Sequence, residues 1–542
     1  MKWMQVYDPF GDILLSAAVA ALPLIFLLYM LGVRRSPGHL AALTATGSAL
    51  VLAIVAYQMP VSLAIQSTVY GLVIGLFPIV WIVINAIWIY NMTVESGEFD
   101  IIKNSLANLT DDRRLQAVFV AFALGAFIEG TAGFGSPVAI TAAMLAGLGF
   151  DKVYAAGICL IANTAPVAFG GIGIPLIVAA QVTGLDIMKL SQIVGRQLPF
   201  LSCIVPIWIC ITMAGWKKTV DVFPALLVAG LAFALTQFGF SNYHGPYLVD
   251  IMSSVATILA LGLFLRVWKP KEVWHFPGEV AADHSKKVEY TTGQVVRAWM
   301  PYAFIGMLIF LWSFPFMKVL LSHVGFKFAW PGLHNLIIKT APIVAQNTPY
   351  GAIYDFAFGA STGTAIFLAG VLSVFVIPRY GFGQACSCYA KTVYQLRLSI
   401  LTIATVLGLA FLMNYSGMSS TLGLAFTKTG SFYPFFAPIL GWMGVFLTGS
   451  DTSSNALFGN LQKTTAEQLG LDPHLTLAAN SSGGVVGKMI SPQSISVATA
   501  ATNMVGEEGT ILRFTVVHSF AMLLFIAGMT YLQAYGLSWM LP

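Results

Sequence analysis

Three ionisable residues of this chain lie in or beside stretches otherwise apolar enough to sit in lipid. Glu129 follows an apolar run and opens the segment Glu129-Gly-Thr-Ala-Gly-Phe-Gly-Ser-Pro137. Asp451 lies in Thr448-Gly-Ser-Asp-Thr-Ser-Ser-Asn455, and Lys488 in Gly487-Lys-Met-Ile-Ser-Pro-Gln-Ser494. An ionisable group inside a membrane is costly and is a functional hypothesis by default. Burial disfavours the charged form of a carboxyl, so Glu129 and Asp451 are the candidates for proton coupling. The Lys488 ammonium is expected to attract an anionic substrate or to pair with Asp451. Short polar side chains surround all three, and their hydroxyls and amides can hydrogen-bond a carboxylate. The substrate-binding candidates are Thr131, Ser136, Asn163, Thr164, Ser450, Thr452, Ser453, Asn455, Asn480, Ser481, Lys488, Ser491 and Gln493.

The elements that carry these residues share one feature. Spanning stretches are interrupted by small, polar and helix-breaking residues, in the first half over 129–137 and 163–175 and in the second over 448–455 and 480–494. Glycine and proline break the helical ladder, and in lipid the freed backbone groups must be satisfied by protein or by a water-filled cavity. Broken helices and re-entrant hairpins inside the bundle are therefore expected. Half-helix N-termini present free N–H groups and a partial positive charge suited to a carboxylate. A packing seam of small residues is the alternative for any one such segment.

Four segments paired by an internal repeat argue against that alternative. Gly125-Ala-Phe-Ile-Glu-Gly130 matches Gly444-Val-Phe-Leu-Thr-Gly449, and Ala162-Asn163-Thr164 matches Ala479-Asn480-Ser481. Gly170 and Pro175 then match Gly487 and Pro492, with 12 positions between Asn163 and Pro175 and 12 again between Asn480 and Pro492. Two related halves are a pattern of secondary transporters.

Composition sets the frame. Of 542 residues only 9% are charged, against roughly 25% in a soluble domain, and 57% are hydrophobic. Mean hydropathy is +0.81. These values exclude a disordered chain, a nucleic-acid binder and an ordinary cytosolic enzyme. Apolar runs near 13–32, 40–58, 68–92, 116–128, 153–181, 199–216, 223–240, 247–267, 298–321, 356–377, 393–413, 433–448 and 511–538 predict an all-α polytopic membrane protein with 10–14 transmembrane elements. The first run lacks the short apolar core and small-residue cleavage site of a signal peptide and reads as a retained helix. Residues 95–114 and 268–290 are charge-rich and read as aqueous. The second divides the chain into membrane halves 1–267 and 297–542, joined by a charged loop over 268–296. Basic pairs at 34–35, 113–114, 217–218 and 286–287 favour the cytoplasmic side, which places the N-terminus outside. Arg196 reads as an interfacial side chain reaching for the headgroups. Five cysteines and eight scattered histidines form no ligand pattern, so no metal and no cofactor is expected. The absence of histidine from the polar breaks argues against an intramembrane enzyme, and a passive channel would not need paired breaks with buried ionisable groups.

The long motifs at these breaks resemble the bacterial lactate permease family, whose members carry L-lactate, D-lactate and glycolate with protons. The matching segments are 125–143, Asn163-Thr-Ala-Pro-Val-Ala-Phe-Gly170, 441–458 and 487–494, and the similarity runs from Tyr7-Asp-Pro to the C-terminal end. The resemblance implies proton-coupled uptake of a 2-hydroxymonocarboxylate across the bacterial inner membrane, with a small carboxylate, protons and lipid as the partners. Through the wider ion-transporter superfamily it also implies two inverted repeats, a scaffold and a mobile transport domain moving as an elevator, and a homodimer joined through the scaffold. On that analogy Thr131–Ser136 and Ser450–Asn455 lie at hairpin tips. The competing reading is sodium-coupled carriage of a mono- or dicarboxylate. A second substrate charge would call for another fixed cation, and Lys488 is the evident deep one.

Overall fold

The computed structural model describes residues 2–34, 36–107, 109–133, 136–276, 290–504 and 506–542. Among them, 11 helices are long and apolar enough to cross a membrane, and 12 if the bent pair Lys152–Ala162 and Val167–Thr183 forms one span. The chain is a predominantly helical, polytopic membrane protein. The count falls within the ten to fourteen that the apolar runs predict. A span needs about 20 apolar residues to cross the hydrocarbon core, and helices such as Ile13–Gly32 and Val249–Val267 have 20 and 19.

The helices pack into two large apolar cores. One is built from residues of Ile13–Gly32, Gly38–Val55, Thr292–Ser313, Thr362–Val376 and Phe382–Ser416. The other is built from residues of Lys152–Ala162, Ile187–Val220, Phe223–Tyr243, Pro473–Lys488 and Glu508–Tyr535. Each core draws on both halves of the chain. Side chains of the broken elements reach from the second group into the first: Phe127, Ile128, Ile172, Ile174 and Leu457 pack with the first core. Lipid offers helices no hydrophobic drive to associate, so close packing must hold them. Tyr433–Thr448 and Pro473–Lys488 show how it does so. A Cβ on Gly441 would fall on the backbone of Asn480, and one on Gly483 would fall on the backbone of Pro438.

Two small sheets cover part of the bundle, an addition to the all-helical expectation. Trp3–Met4 pairs parallel with Ile337–Lys339, which pairs antiparallel with Thr348–Pro349. Phe326–Ala329 pairs antiparallel with Ile353–Phe356, with Phe326 opposite Phe356 and Ala329 opposite Ile353. Strands of two to four residues leave no readable periodicity.

The charge-rich stretch 95–114 is not wholly aqueous. Asp112 and Arg114 are buried, and the guanidinium grips the carboxylate with two bonds, Nε to Oδ1 at 3.0 Å and Nη2 to Oδ2 at 2.6 Å. Arg114 also donates to the carbonyls of Lys218 and Glu272, and the Trp274 N–H donates to Asp112 Oδ2 at 3.1 Å. Counter-charge and carbonyls replace the water that the sequence reading supplied. The start of the central loop is thereby pinned to the bundle, while residues 277–289 of that loop lie outside the described residues. Arg196 likewise finds protein partners, Asn242 Oδ1 and the Met540 carbonyl, each at 2.8 Å.

Removing one member of a buried ion pair leaves the other unpaired and typically costs about 3–5 kcal/mol. Arg114→Ala should therefore lower the melting temperature of the detergent-solubilised protein markedly, and Arg114→Lys, which lacks the two-pronged grip, should fall between. Unchanged melting of both variants would show that the pair contributes nothing to stability.

Candidate functional site

The site lies where broken elements of the two halves meet. In the first half, helix Gly125–Thr131 stops at Ala132, and helix Ser136–Gly147 follows. Phe134 and Gly135 of the polar break, and the side chain of Ser136, lie outside the described residues. Asp151 then caps Lys152–Ala162, accepting from the Val153 and Tyr154 N–H groups. That helix gives way at Asn163 to a tight turn, Val167–Phe169, and resumes as Gly170–Thr183, bent by 60°. Pro166 cannot donate to the ladder. Beyond it Gly171, Ile172 and Gly173 all have left-handed backbone, at φ 52°, 61° and 76°. Glycine takes that conformation freely, but Ile172 does so at a cost of roughly 1–2 kcal/mol. A Cβ on Gly173 would come within 2.8 Å of the Pro246 carbonyl oxygen, so the chain passes there too closely for a side chain.

Tyr433–Thr448 ends at Gly449, and Ser450 caps Asp451–Leu469 by accepting the Ser453 N–H at 3.2 Å. Pro473–Lys488 ends at Met489, and Ser491 caps Pro492–Ala501 through the Ser494 N–H at 3.1 Å.

An ion pair joins the two sets. Glu129 Oε1 accepts from Lys488 Nζ at 2.8 Å, and Glu129 Oε2 accepts from Asn163 Nδ2 at 2.9 Å. Glu129 is 3% exposed and Lys488 8%, so neither charge is shielded by bulk water. This corrects one expectation of the sequence: the partner of Lys488 is Glu129, 359 positions away, and not Asp451. The reason is local. Asp451 starts its own helix and finds other donors, accepting on Oδ2 from Ser481 Oγ and from Asn455 Nδ2, while its Oδ1 has no hydrogen-bond partner among the described residues. The positive end of that helix favours a negative charge there. Lys488 ends its helix, where a cation is favoured for the same reason. Both carboxyls lie against glycines. A Cβ on Gly170 would sit 2.7 Å from Glu129 Oε1, and one on Gly484 would collide with Asp451 Oδ1.

Between these groups opens a small cavity, lined by Glu129, Ser450, Asp451, Thr452, Lys488 and Gln493 among others. Val167, Ile174 and Val497 give it an apolar wall. Its lining sets one cationic and two carboxyl side chains and short polar groups against an apolar wall. The remaining sequence candidates stand behind this lining. Asn163 holds Glu129. Asn455 and Ser481 hold Asp451, and Asn455 also donates to the Pro175 carbonyl at 3.1 Å. Asn480 donates to Asn455 Oδ1 at 2.9 Å. Ser453 gives its N–H to the Ser450 cap, and Ser491 is itself a cap. The hydroxyls of Thr131 and Thr164 turn back to their own helices, to the Phe127 and Ile161 carbonyls.

Sequence reasoning missed a polar chain that steadies the second carboxyl. Tyr433 OH donates to Gln462 Oε1 at 2.7 Å, and Gln462 Nε2 donates to Asn480 Oδ1 at 3.1 Å. Its signal was present: Gln462 follows Asn455 by two helical turns and shares its face. Asp250 was missed as well. It is fully buried beside Gly130, at the start of an apolar run.

The L-lactate permease family model matches residues 16–537. The chain is 48% identical to the glycolate permease GlcA of Escherichia coli (strain K12), over the whole of both chains. It is 48% identical to the L-lactate permease of Salmonella typhimurium and 47% identical to that of Bacillus subtilis (strain 168), again over the whole of each chain. Among solved structures, the MtrF transporter of Neisseria gonorrhoeae aligns with a TM-score of 0.46 and 14% identity, covering 88% of this chain and 83% of that one.

Breaking the ion pair from one side should expose its coupling. Glu129→Gln leaves Lys488 buried without a counter-charge and should cost about 3–5 kcal/mol. The double variant Glu129→Gln with Lys488→Met should recover much of that loss. A thermal-stability double-mutant cycle in detergent measures it, and simple additivity of the two losses would mean that the charges do not interact.

Proposed function

This chain belongs to the L-lactate permease family, and from that premise we propose that it is a proton-coupled importer of L-lactate and related 2-hydroxymonocarboxylates, D-lactate and glycolate among them. The protein is a multi-pass integral membrane protein, of the bacterial inner membrane, and a permease rather than an enzyme. The observation that carries the coupling is the Glu129–Lys488 pair at the wall of the cavity.

Lys488 is the ammonium buried at this site, and Glu129 engages it. A carboxylate substrate that enters the cavity competes with Glu129 for the same cation. Adding a negative charge to a neutral, water-poor pair costs several kcal/mol per ion. A proton on Glu129 removes that cost. The neutralised glutamic acid releases the ammonium, and the substrate carboxylate takes its place. The empty pair and the fully loaded set, with one proton and one carboxylate, have the same charge. A set holding the proton alone has one positive charge more, and a set holding the anion alone one negative charge more. Either would cross the low-dielectric interior poorly, which is the physical basis of coupling. Asp451 lines the same cavity and would repel the incoming carboxylate while ionised, so it is the second carboxyl assigned to proton coupling. The hydroxyl of Ser450 or Thr452 and the amide of Gln493 supply hydrogen bonds for the 2-hydroxyl and carboxylate.

The two cores support an elevator reading. Tyr433–Thr448 and Pro473–Lys488 pack with the second group of helices, and the ion pair lies close to where that group meets the first. Movement of the second group past the first, serving as scaffold, would carry the site between the two sides.

Labelled L-lactate uptake into proteoliposomes under an inward proton gradient, without sodium, tests the reading. The expected result is accumulation that a protonophore collapses and that glycolate and D-lactate compete away, while succinate does not. Glu129→Gln and Asp451→Asn, correctly inserted, should lose the driven accumulation. Uptake that begins only when sodium is added, or that yields to succinate alone, would replace the proposal with sodium-coupled dicarboxylate transport.

A further inference from the structure

Asp250 is the second residue of helix Val249–Val267 and is 1% exposed. Neither of its carboxyl oxygens has a hydrogen-bond partner among the described residues. It stands directly behind the first carboxyl of the site. Gly130, next in sequence to Glu129, approaches so closely that a Cβ there would lie 2.7 Å from the Asp250 Cβ. Glu129 and Lys488 are the charged groups that act on it.

The other elements packed on this helix bring no counter-charge. The helical segment Val118–Leu124 and the helix Gly170–Thr183 carry no ionisable side chain. Phe223–Tyr243 ends in Tyr243, which is 84% exposed and turned away. In the loop before Asp250, Tyr247 brings a phenol and no cation, and His244 stacks on Phe310.

The three carboxyls of the region are held differently. Glu129 has an ammonium and an amide, and Asp451 has a hydroxyl and an amide. Asp250 has lost its water and gained no donor. An ion in that state is strongly disfavoured. The positive end of its helix is a small effect beside that desolvation, and Lys488 is already engaged by Glu129. The neutral acid is the form that suits the site.

We infer that Asp250 is a third proton-binding carboxyl of the carrier, loaded while Lys488 is held by Glu129. The inference rests on the proton-coupled reading above and extends it to a residue outside the cavity lining. Its position fits a coupling role. Leu248 and Ile251 pack in the first core and Val249 in the second, so Asp250 lies where the two bodies meet. Displacement of one body past the other changes its surroundings and gives the proton a reason to leave.

Two measurements on the full-length protein test this. Infrared spectroscopy of the reconstituted carrier should show a protonated-carboxyl stretch that shifts in heavy water and is missing from Asp250→Asn. In proteoliposomes, Asp250→Asn should keep lactate–lactate exchange and lose accumulation driven by a proton gradient. An unchanged carboxyl band, or driven accumulation equal to that of the unaltered protein, overturns the proposal. Failure of both Asp250→Asn and Asp250→Ser to insert and fold also overturns it, since an amide mimics the neutral acid and should be tolerated. If the unaltered carrier shows no protonophore-sensitive accumulation, it is the proton-coupled reading that fails. The infrared band still reports separately whether Asp250 carries a proton.

Discussion

A cation buried in a membrane protein must be answered by a negative charge, and Lys488 is answered by Glu129 from the other end of the chain. That requirement organises the site. The ammonium ends one broken helix, the carboxylate lies near the end of another, and Asn163 at the head of a third break holds the carboxylate in place. The breaks are set by residues that cannot propagate a helix: Pro166, the left-handed run Gly171 to Gly173, and Gly449. Each frees backbone groups, which the bundle must satisfy internally because lipid cannot. Serine caps meet part of that demand in the second half, at Ser450 and Ser491, and Asp151 meets it in the first.

Close packing then fixes the distances. Glu129 reaches its partners through space left by Gly170, and Asp451 through space left by Gly484. Side chains at these positions would push the carboxyls out of place. The same economy brings Tyr433–Thr448 against Pro473–Lys488, where Gly441 and Gly483 allow backbone to touch backbone. Small residues that read singly as a packing seam are therefore part of what positions the two carboxyls.

Much of this was visible in the sequence, for a physical reason. Glu129, Asp451 and Lys488 stand out because charge is rare in apolar runs, and the Gly/Pro/Ser clusters beside them mark the breaks directly. Pairing was not visible. Asp451 and Lys488 share a half of the chain and looked like partners, but three-dimensional packing hands Lys488 to Glu129 and gives Asp451 to Ser481 and Asn455. Arg114 was hidden by its neighbours, since a run of eight charges reads as solvated whether or not some of them fold inward. Asp250 was hidden by the opposite effect: one carboxyl at the first turn of a span looks like an ordinary helix-start residue. The strands at 326–356 are too short to announce themselves.

The number of carboxyls against one ammonium bears on what the site can carry. Among the described residues, Glu129, Asp250 and Asp451 are buried around Lys488. Were all three ionised, the region would hold two negative charges more than positive ones before any substrate arrived. An anion would then be repelled rather than bound. Each proton taken up removes one unit of that repulsion, so anion affinity and proton occupancy rise together, as linkage requires. A dicarboxylate would bring a second charge to a site with a single ammonium and would need further protons or another cation. On the proposed reading a monocarboxylate needs one exchange of partners: its own carboxylate for that of Glu129. In the proposed function, substrate class and coupling ion are therefore tied to one ratio of fixed charges.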